Sequence, residues 1–315
     1  MCMNELEKLP KIAILTVNPG IDRTMYFDGP IEAGEVNRAA RADFTLGCKG
    51  ANAAVVMTRL GADVTYFTFT GGAFGSLYEE FLVKDGVRTV ALHTGAGVRL
   101  NVKLSDGCGV TECNQTGGPI NEEECRSMME ELRRAAFDCL YLAGSLPAGL
   151  PQDFYAQCVT LAHEKGAFVV VDCAGEALKE ALAFSPDLIK PNKAEFFELV
   201  GDETSVSRGI EQFRRRYPST ALLLSLGEEG AILAEGDLTL HAAALQVPVS
   251  GTVGAGDTFL SSFVASKMAG DDVRRSLAIA TAAAAAKIQR PGTELPRARE
   301  MALLVDCVSV IEYQE

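Results

Sequence analysis

A glycine-rich turn followed by a carboxylate is the part of the sequence best suited to chemistry. The segment Gly251-Thr-Val-Gly-Ala-Gly-Asp-Thr-Phe259 places this turn at the start of an apolar run with helical spacing. Backbone N–H groups at a helix N-terminus have no intrahelical partner and favour an anion. With Asp257 beside them, the segment is equipped for phosphoryl transfer, because a carboxylate can take the proton of an acceptor hydroxyl. An ordinary turn with a capping Asp explains this segment equally well when it is considered alone.

Polar and glycine-rich segments also stand at other junctions between predicted elements. They are Asn18-Pro-Gly-Ile-Asp22, Gly47-Cys-Lys-Gly-Ala-Asn52, Gly144-Ser-Leu-Pro147, Lys190-Pro-Asn-Lys-Ala-Glu195 and Ser225-Leu-Gly-Glu-Glu-Gly230. Each is a weak signal alone, since turns favour Gly, Pro, Asn and Ser anyway. In a parallel sheet, however, ligands bind where the strands end. Five such segments at one edge, with the 254–257 turn as a sixth, therefore favour a ligand site there.

Apolar strand-like runs alternate with helix-patterned segments along nearly the whole chain. Strands are predicted at 12–17, 64–70, 139–143, 168–172, 188–190 and 222–225, with a hairpin at 230–240. Helices are predicted at 51–60, 77–84, 154–165, 194–200, 257–269 and 273–289. Gly61, Gly86, Gly166 and Gly201 stand just beyond four of these helices, where glycine is the expected stop signal. The pattern predicts an α/β fold with a mainly parallel sheet covered on both faces.

Two segments, about 22–46 and 98–113, break this alternation. They contain strand-like residues without a helical period. In the second, Arg99, Asn101 and Lys103 alternate with apolar residues, which puts all three on one face of a strand. Both segments are predicted to form a small β-sheet that projects from the main domain.

Composition narrows the class of protein. The 315 residues are 48% apolar and 23% charged, which is ordinary for a globular protein, and the net charge is −13. This acidic balance argues against nucleic acid or an anionic membrane surface as a partner. No apolar run is long enough to span a bilayer, and residues 1–10 lack the pattern of a signal peptide, so a cytoplasmic location is expected. Nine scattered cysteines and three histidines favour neither a disulfide framework nor a His/Cys metal site.

Taken in order, the motifs resemble those of a known family. The series Asn-Pro-x-x-Asp, Gly-x-Lys-Gly-x-Asn, Arg-x-Asn-x-Lys, Gly-Ser-Leu-Pro, Lys-Pro-Asn-x-x-Glu, Ser-Leu-Gly-x-x-Gly and Thr-Val-Gly-Ala-Gly-Asp is similar to that of the PfkB (ribokinase-like) carbohydrate kinases. It is most similar to the 1-phosphofructokinase and tagatose-6-phosphate kinase branch, and it runs from about Ile12 to Gly292. The resemblance implies a single ribokinase-like domain over 1–315, a three-layer α/β/α body with a β-sheet lid.

The resemblance also implies roles for individual residues. Asp257 would be the general base, and the amides of Gly254, Ala255 and Gly256 would form the anion hole for the transferring phosphoryl group. The implied sugar-phosphate ligands are Asp22, Gly47, Lys49, Asn52, Arg99, Asn101, Lys103 and Ser145. The implied nucleotide ligands are Lys190, Asn192, Glu195, Ser225, Gly227 and Gly230. Asn192 and Glu195 would organise Mg²⁺ through water, or else form an ordinary helix cap. ATP and Mg²⁺ are the expected cofactors, with a monovalent cation as a further candidate.

Several alternatives stay open or are excluded at this point. The chain has no Gly-x-x-x-x-Gly-Lys-Ser/Thr and no Gly-x-Gly-x-x-Gly after its first strand, which excludes a P-loop kinase and a Rossmann dehydrogenase. Fructose 1-phosphate, phosphorylated to the 1,6-bisphosphate, is the expected acceptor. Tagatose 6-phosphate and fructose 6-phosphate are alternatives, and an inactive sugar-phosphate-binding protein is the rival from another class. A homodimer through the lid is expected.

One departure from the family pattern bears on the sugar site. The usual Gly-Gly-Lys-Gly is Gly47-Cys48-Lys49-Gly50 in this sequence. If position 48 requires a positive φ, Cys48 would cost of order 1 kcal/mol or shift the loop.

Overall fold

The computed structural model describes residues 9–201 and 205–313. The expectation that the chain begins without a signal peptide concerns mainly residues 1–8, which lie outside these ranges. The predicted strands and helices are present, and their ends differ from the predicted ones by at most two residues. In the described part of the chain, none of the helices is long and apolar enough to cross a bilayer.

The secondary structure of the described residues alternates as the sequence predicts. The strands are β1 (Lys11–Thr16), β2 (Gly20–Tyr26), β3 (Arg41–Leu46), β4 (Asp63–Thr70), β5 (Arg88–His93), β6 (Arg99–Ser105), β7 (Val110–Asn114), β8 (Cys139–Ala143), β9 (Phe168–Asp172), β10 (Leu188–Ile189), β11 (Ala221–Ser225), β12 (Ala231–Glu235), β13 (Leu238–Ala242) and β14 (Val310–Glu312). The α-helices are α1 (Lys49–Arg59), α2 (Gly75–Lys84), α3 (Glu122–Arg134), α4 (Phe154–Glu164), α5 (Glu176–Leu182), α6 (Lys193–Val200), α7 (Val206–Arg216), α8 (Ala255–Met268), α9 (Val273–Ile288) and α10 (Ala298–Ala302).

Ten strands form the central sheet in the order β14-β13-β12-β11-β10-β9-β8-β1-β4-β5. The seven from β11 to β5 are parallel, and β12, β13 and β14 extend the sheet in antiparallel fashion. The predicted 230–240 hairpin is the β12–β13 pair. The sequence pattern did not indicate β14, because this strand has three residues and two of them are exposed.

Helices cover both faces of this sheet, and the alternation of β1 shows why. Its Ala13 and Leu15 belong to one apolar core, whereas Ile12 and Ile14 belong to the other. The first core packs against buried residues of α3 to α7, and the second against those of α1, α2, α8 and α9. A strand buried on both faces is expected in a parallel sheet. The three-layer α/β fold is therefore confirmed.

A separate four-stranded sheet has the order β3-β2-β6-β7. Its strands come from the two segments that lack a helical period. In the parallel β2–β6 pair, Asp22 is opposite Asn101 and Thr24 is opposite Lys103. The predicted small β-sheet is present, and it carries the charged face of β6 toward the edge where the strands of the main sheet end.

Candidate active site

The proposed base lies in the first turn of α8. This helix begins at Ala255 after Gly254, whose φ of 82° is in the left-handed region that favours glycine. The amide of Asn52, on α1, donates to Asp257 Oδ2 at 2.8 Å. Burial and the nearby charge of Asp172 raise the pKa of Asp257, although Lys49 and the Asn52 hydrogen bond oppose the shift. A carboxylate with a raised pKa is a better proton acceptor.

Not all N–H groups of the predicted anion hole are free to bind an anion in this conformation. The Ala255 N–H donates to the carbonyl of Thr252 at 3.1 Å. Within the described ranges, the N–H groups of Gly256 and Asp257 have no backbone acceptor, as is usual in a first helical turn. The Lys190 ammonium lies 3.6 Å from the point where a Cβ on Gly256 would stand. The turn therefore combines free amides with a lysine charge.

Two lysines converge on a buried carboxylate beside this turn. Asp172, at the carboxyl end of β9, is 1% exposed, and its Oδ1 lies 2.8 Å from Lys49 Nζ and 3.9 Å from Lys190 Nζ. Burial alone would raise the pKa of Asp172, but the charges of Lys49 and Lys190 lower it. Burial opposes the charge on Lys49, yet its attraction to Asp172, Asp257 and Glu195 raises its pKa. Asp172 and Lys49 are therefore both charged at neutral pH.

The position of Lys49 bears on its predicted role. The resemblance assigns this lysine to the phosphate already on the sugar, whereas its ammonium lies with Asp172 and close enough to Asp257 to feel that charge. Lys49 in this conformation is thus on the same side of the site as the anion-binding turn. An anion that approached Asp257 would meet both Lys49 and Lys190.

The small sheet contributes a second polar cluster. Asp22 is 3% exposed, accepts from Asn101 Nδ2 at 2.8 Å and lies 2.6 Å from Lys103 Nζ. The side chain of Asn101 also donates to the carbonyl of Gly47 at 3.1 Å. A Cβ at Gly47 would collide with the Asp22 carboxylate, so only glycine fits there. Lys103 is 5% exposed. It is therefore buried, although its sequence pattern alone would also allow a solvated strand face.

Arg99 and Ser145 lie where the small sheet meets the main sheet. Arg99 Nη1 donates to Asn101 Oδ1 at 3.1 Å and to the carbonyl of Gln115 at 3.0 Å. Ser145, directly after β8, accepts from the amide of Asn18 at 3.1 Å. Asn18 is 5% exposed and also donates to the carbonyl of Thr116. Polar groups thus hold both the Ser145 hydroxyl and the Arg99 guanidinium in place.

Asn192 and Glu195 form a capping box at the start of α6. Asn192 Oδ1 accepts from the Glu195 N–H at 2.9 Å, and Glu195 Oε2 accepts from the Asn192 N–H at 2.8 Å. The helix-cap alternative thus describes this conformation. Glu195 nevertheless contributes to the field at Lys49, so α6 begins beside the charged cluster.

The remaining nucleotide candidates follow β11. The side chain of Ser225 donates to the carbonyl of Pro191 at 3.4 Å, and Ser225 forms a parallel bridge with Asn192. A Cβ at Gly230 would collide with the carbonyl of Ala242, whereas Gly227 borders open space. Gly230 is therefore needed for a close approach of backbones, and Gly227 leaves the surface open for a ligand.

The residues fit Mg²⁺ held largely by phosphate and water. No group of three or more His, Cys, Asp or Glu side chains within 9–201 and 205–313 could hold a metal ion alone. Asp172 Oδ2 is buried without a hydrogen-bond partner among the described residues, so this carboxylate has a second oxygen that could accept from a ligand shell. Mg²⁺ commonly uses one or two carboxylates together with substrate phosphates and water.

Cys48 causes no backbone strain. It precedes α1 with φ −140° and ψ 150°, an extended conformation open to any residue. Its sulfur lies 3.3 Å from the hydroxyl of Tyr78, and the hydroxyls of Tyr66 and Tyr78 are 2.6 Å apart. The concern about a positive φ at this position was therefore wrong, and Cys48 packs into the core behind the loop.

Sequence reasoning missed Asp172 and Asn18 as site residues. Asp172 follows four apolar residues, and a charge at the carboxyl end of a buried strand is the signal that could have identified it. Asn18 lies inside a segment that the sequence analysis singled out. Its partners Thr116 and Ser145 are far away in sequence, so only the fold shows what it does.

Comparisons with known proteins agree with this geometry. The family model described as "pfkB family carbohydrate kinase" matches residues 7–299. A 1-phosphofructokinase of Haloferax volcanii is 33% identical over 289 residues, covering 90% of this chain and 93% of the relative. A 1-phosphofructokinase of Rhodobacter capsulatus is 30% identical over 308 residues, covering 95% and 97%.

Solved structures support the fold. A putative phosphofructokinase of Staphylococcus aureus superposes with a TM-score of 0.81 at 26% identity, covering 96% of this chain and 99% of that one. Phosphofructokinase-2 of Escherichia coli, in complex with potassium, superposes with a TM-score of 0.89 at 24% identity, covering 95% and 99%. The family match spans the main sheet except β14, the whole small sheet and the Asp257 turn, and on this basis the chain belongs to the pfkB family of carbohydrate kinases.

Proposed function

We propose that this kinase transfers the γ-phosphoryl group of ATP to the 6-hydroxyl of fructose 1-phosphate, giving the 1,6-bisphosphate. The observation that carries the proposal is the position of Asp257. It lies in the first turn of α8 and accepts a hydrogen bond from Asn52. The charges of Lys49 and Lys190 are close enough to act on it. Relatives at 30 and 33% identity are named 1-phosphofructokinases, which supports this acceptor over other sugars.

The geometry supports a direct transfer. Asp257 takes the proton of the acceptor hydroxyl as its oxygen bonds to the γ-phosphorus and the bond to the ADP oxygen breaks. The Gly256 and Asp257 amides, with Lys190 and Lys49, stabilise the negative charge of the transferring group. Mg²⁺, when bound, neutralises phosphate charge, and Asp172, Asn192 and Glu195 are the residues that would organise it.

The small sheet supplies the other end of the acceptor site. We assign Arg99 and Lys103 to the phosphate that the sugar already carries, and Asp22 to its hydroxyls. Lys103 and Asp22 lie 2.6 Å apart, so a bound phosphate would compete with the carboxylate for this ammonium. A sheet that covers the sugar excludes water, which prevents wasteful hydrolysis of ATP.

The nucleotide occupies the remaining side. Ser225, Gly227 and Gly230 would line its groove, since they lie next to the start of α6. ATP and Mg²⁺ are the expected cofactors of a kinase of this family. The E. coli phosphofructokinase-2 structure is a complex with potassium, so a monovalent cation is the third candidate. The reaction proposed for this chain does not require a monovalent cation.

A coupled ADP-release assay tests the proposed function. Mg²⁺-ATP is supplied with fructose 1-phosphate, tagatose 6-phosphate, fructose 6-phosphate, fructose or ribose in turn. The highest kcat/KM is expected for fructose 1-phosphate. Preference for tagatose 6-phosphate or fructose 6-phosphate would reassign the acceptor. Binding of the sugar phosphate without ADP formation by any acceptor would favour the inactive binding protein and overturn the kinase assignment.

We also propose that the small sheet mediates a homodimer. Met25, Val102 and Leu104 lie on the face of β2 and β6 opposite to Asp22 and Lys103. These three side chains are partly exposed. A second copy of the chain would cover this apolar face and place two small sheets against each other.

A further inference from the structure

A buried lysine lies behind the anion-binding turn and is not used by the mechanism described above. Lys287, in the last turn of α9, is 0% exposed. Its ammonium donates to the carbonyl of Gly292 at 3.0 Å, and this is its one hydrogen bond within the described residues. A buried ammonium is costly unless something nearby requires its charge. An unbranched apolar side chain such as Met would fill this space up to the position of the ammonium, without that cost.

Backbone groups of two segments meet around this lysine. The N–H groups of Ser250 and Gly251 both donate to the carbonyl of Ile288, at 2.7 and 3.2 Å. A Cβ at Gly251 would stand 3.0 Å from the carbonyl oxygen of Gly292 and 3.1 Å from that of Arg290. The segment that leads into the Asp257 turn is therefore packed against the 290–292 backbone. The Lys287 ammonium donates to one carbonyl of the 290–292 backbone, that of Gly292.

The same lysine reaches the anion-binding turn itself. Its Cε lies 3.6 Å from the point where a Cβ on Gly254 would stand, and Gly254 is the residue from which α8 starts. Burial lowers the pKa of Lys287 to about 8, with Lys103 adding to the shift while Glu294 and Asp257 oppose it. Most of the Lys287 population is therefore charged at neutral pH. The charge lies close enough to Asp257 to interact with it.

We propose that Lys287 is a built-in cation that fixes the turn before α8, so that this turn needs no bound monovalent cation. Carbonyl oxygens of the kind found at 290–292 are the ligands that potassium prefers. A lysine that is covalently part of α9 supplies the same charge without an ion. Lys287 is thus a positioning residue: it acts on the phosphoryl group through the backbone of residues 251–256. This inference rests on the proposed kinase function.

The first test uses the unmodified enzyme. Turnover is measured with potassium salts and with tetramethylammonium salts at equal ionic strength, since the larger ion cannot enter a carbonyl-lined site. The two kcat values are expected to agree within about twofold. Strong activation by potassium would overturn the proposal, because the site would then still need an ion. No turnover in either salt would instead count against the proposed function.

The second test removes the charge. Lys287→Met is expected to lower kcat by about 10- to 100-fold while the KM for the sugar phosphate changes little, since the turn acts on the transition state. Potassium or methylammonium is expected to restore part of the loss by filling the vacated space. Lys267→Met is the matched control, because Lys267 lies at the other end of α8 and pairs with Glu235 at 2.9 Å. This control should keep wild-type kcat and show no response to cations.

A merely structural role for Lys287 predicts a different outcome. It would lower the melting temperature of Lys287→Met without any effect of potassium or methylammonium on kcat, and that result would overturn the proposal. Wild-type kcat in the variant would overturn it as well. If Lys287→Met does not fold, Lys287→Gln provides the variant, because its amide keeps a donor for the Gly292 carbonyl but carries no charge.

Discussion

At the residue scale, the proposed reaction depends on whether Asp257 accepts a proton. Asp257→Asn keeps the shape of the side chain and removes its basicity. We expect kcat to fall by at least about 100-fold, whereas the affinity for ATP, measured by calorimetry, stays nearly unchanged. Asp272→Asn is the control, since Asp272 is the exposed N-cap of α9, and Asn is an equally good cap. Near-normal turnover of Asp257→Asn would remove this residue as the base.

The raised pKa of Asp257 predicts the acid side of the pH profile. Burial and the charge of Asp172 favour the protonated carboxyl, so its pKa lies above the ordinary value of an aspartate. Because only the ionised form accepts a proton, kcat should fall as the pH decreases through this pKa. The acid limb should therefore appear at a higher pH than an exposed aspartate would give. A profile that is flat down to the ordinary aspartate pKa would contradict this assignment.

At the element scale, the start of α1 shows why neighbouring residues differ in importance. Gly47 lies against the carboxylate of Asp22, so a Cβ would displace that carboxylate. Cys48 has an extended backbone that any residue can adopt. We expect Gly47→Ala to raise the KM for the sugar phosphate by about 10-fold or more, since Asp22 and its partner Lys103 must move. Steady-state kinetics over a range of sugar-phosphate concentrations provides the measurement.

Cys48→Gly is the matched comparison for Gly47→Ala. It restores the glycine that the family pattern has at this position and leaves the Asp22 cluster untouched. Its kinetic constants should stay within about twofold of wild type, while its melting temperature falls slightly because the buried sulfur and its contact with Tyr78 are lost. Equal kinetic effects of both substitutions would mean that the loop tolerates a Cβ at position 47. The close approach to Asp22 would then not matter for binding.

The elements were predictable to a greater extent than the contacts of the site. Apolar runs and terminal glycines are local signals, so β8, β9 and α1 were located to within two residues. The Lys49–Asp172 pair joins residues 123 positions apart, and no local pattern encodes it. The capping box of Asn192 and Glu195 was one of two alternatives that the spacing allowed. Lys287 stands in an alanine-rich helix whose sequence gives no sign of the Gly292 carbonyl that its ammonium meets.

At the scale of the whole molecule, the main sheet and the small sheet form different sides of the proposed site. The main sheet brings the ends of β9, β10 and β11 together with the start of α8, and so forms the proposed anion-binding side. The small sheet is built from two segments distant in sequence, and its parallel β2–β6 pair aligns Asp22 with Asn101. The net charge of −13 would repel phosphorylated ligands at long range. Local lysines and Arg99 must therefore supply the attraction.

The outer face of the small sheet provides the last prediction. Leu104 is opposite Met25 in the β2–β6 register, on the face that we propose a second copy covers. Wild-type protein should sediment as a dimer at micromolar concentration, and Leu104→Asp should shift it to a monomer, because burial of an unpaired carboxylate in an apolar contact is unfavourable. Val83→Asp is the control, since Val83 is 76% exposed on α2, outside the small sheet. If wild-type protein is monomeric, or if Leu104→Asp stays dimeric with an unchanged circular dichroism spectrum, the subunits do not associate through this face.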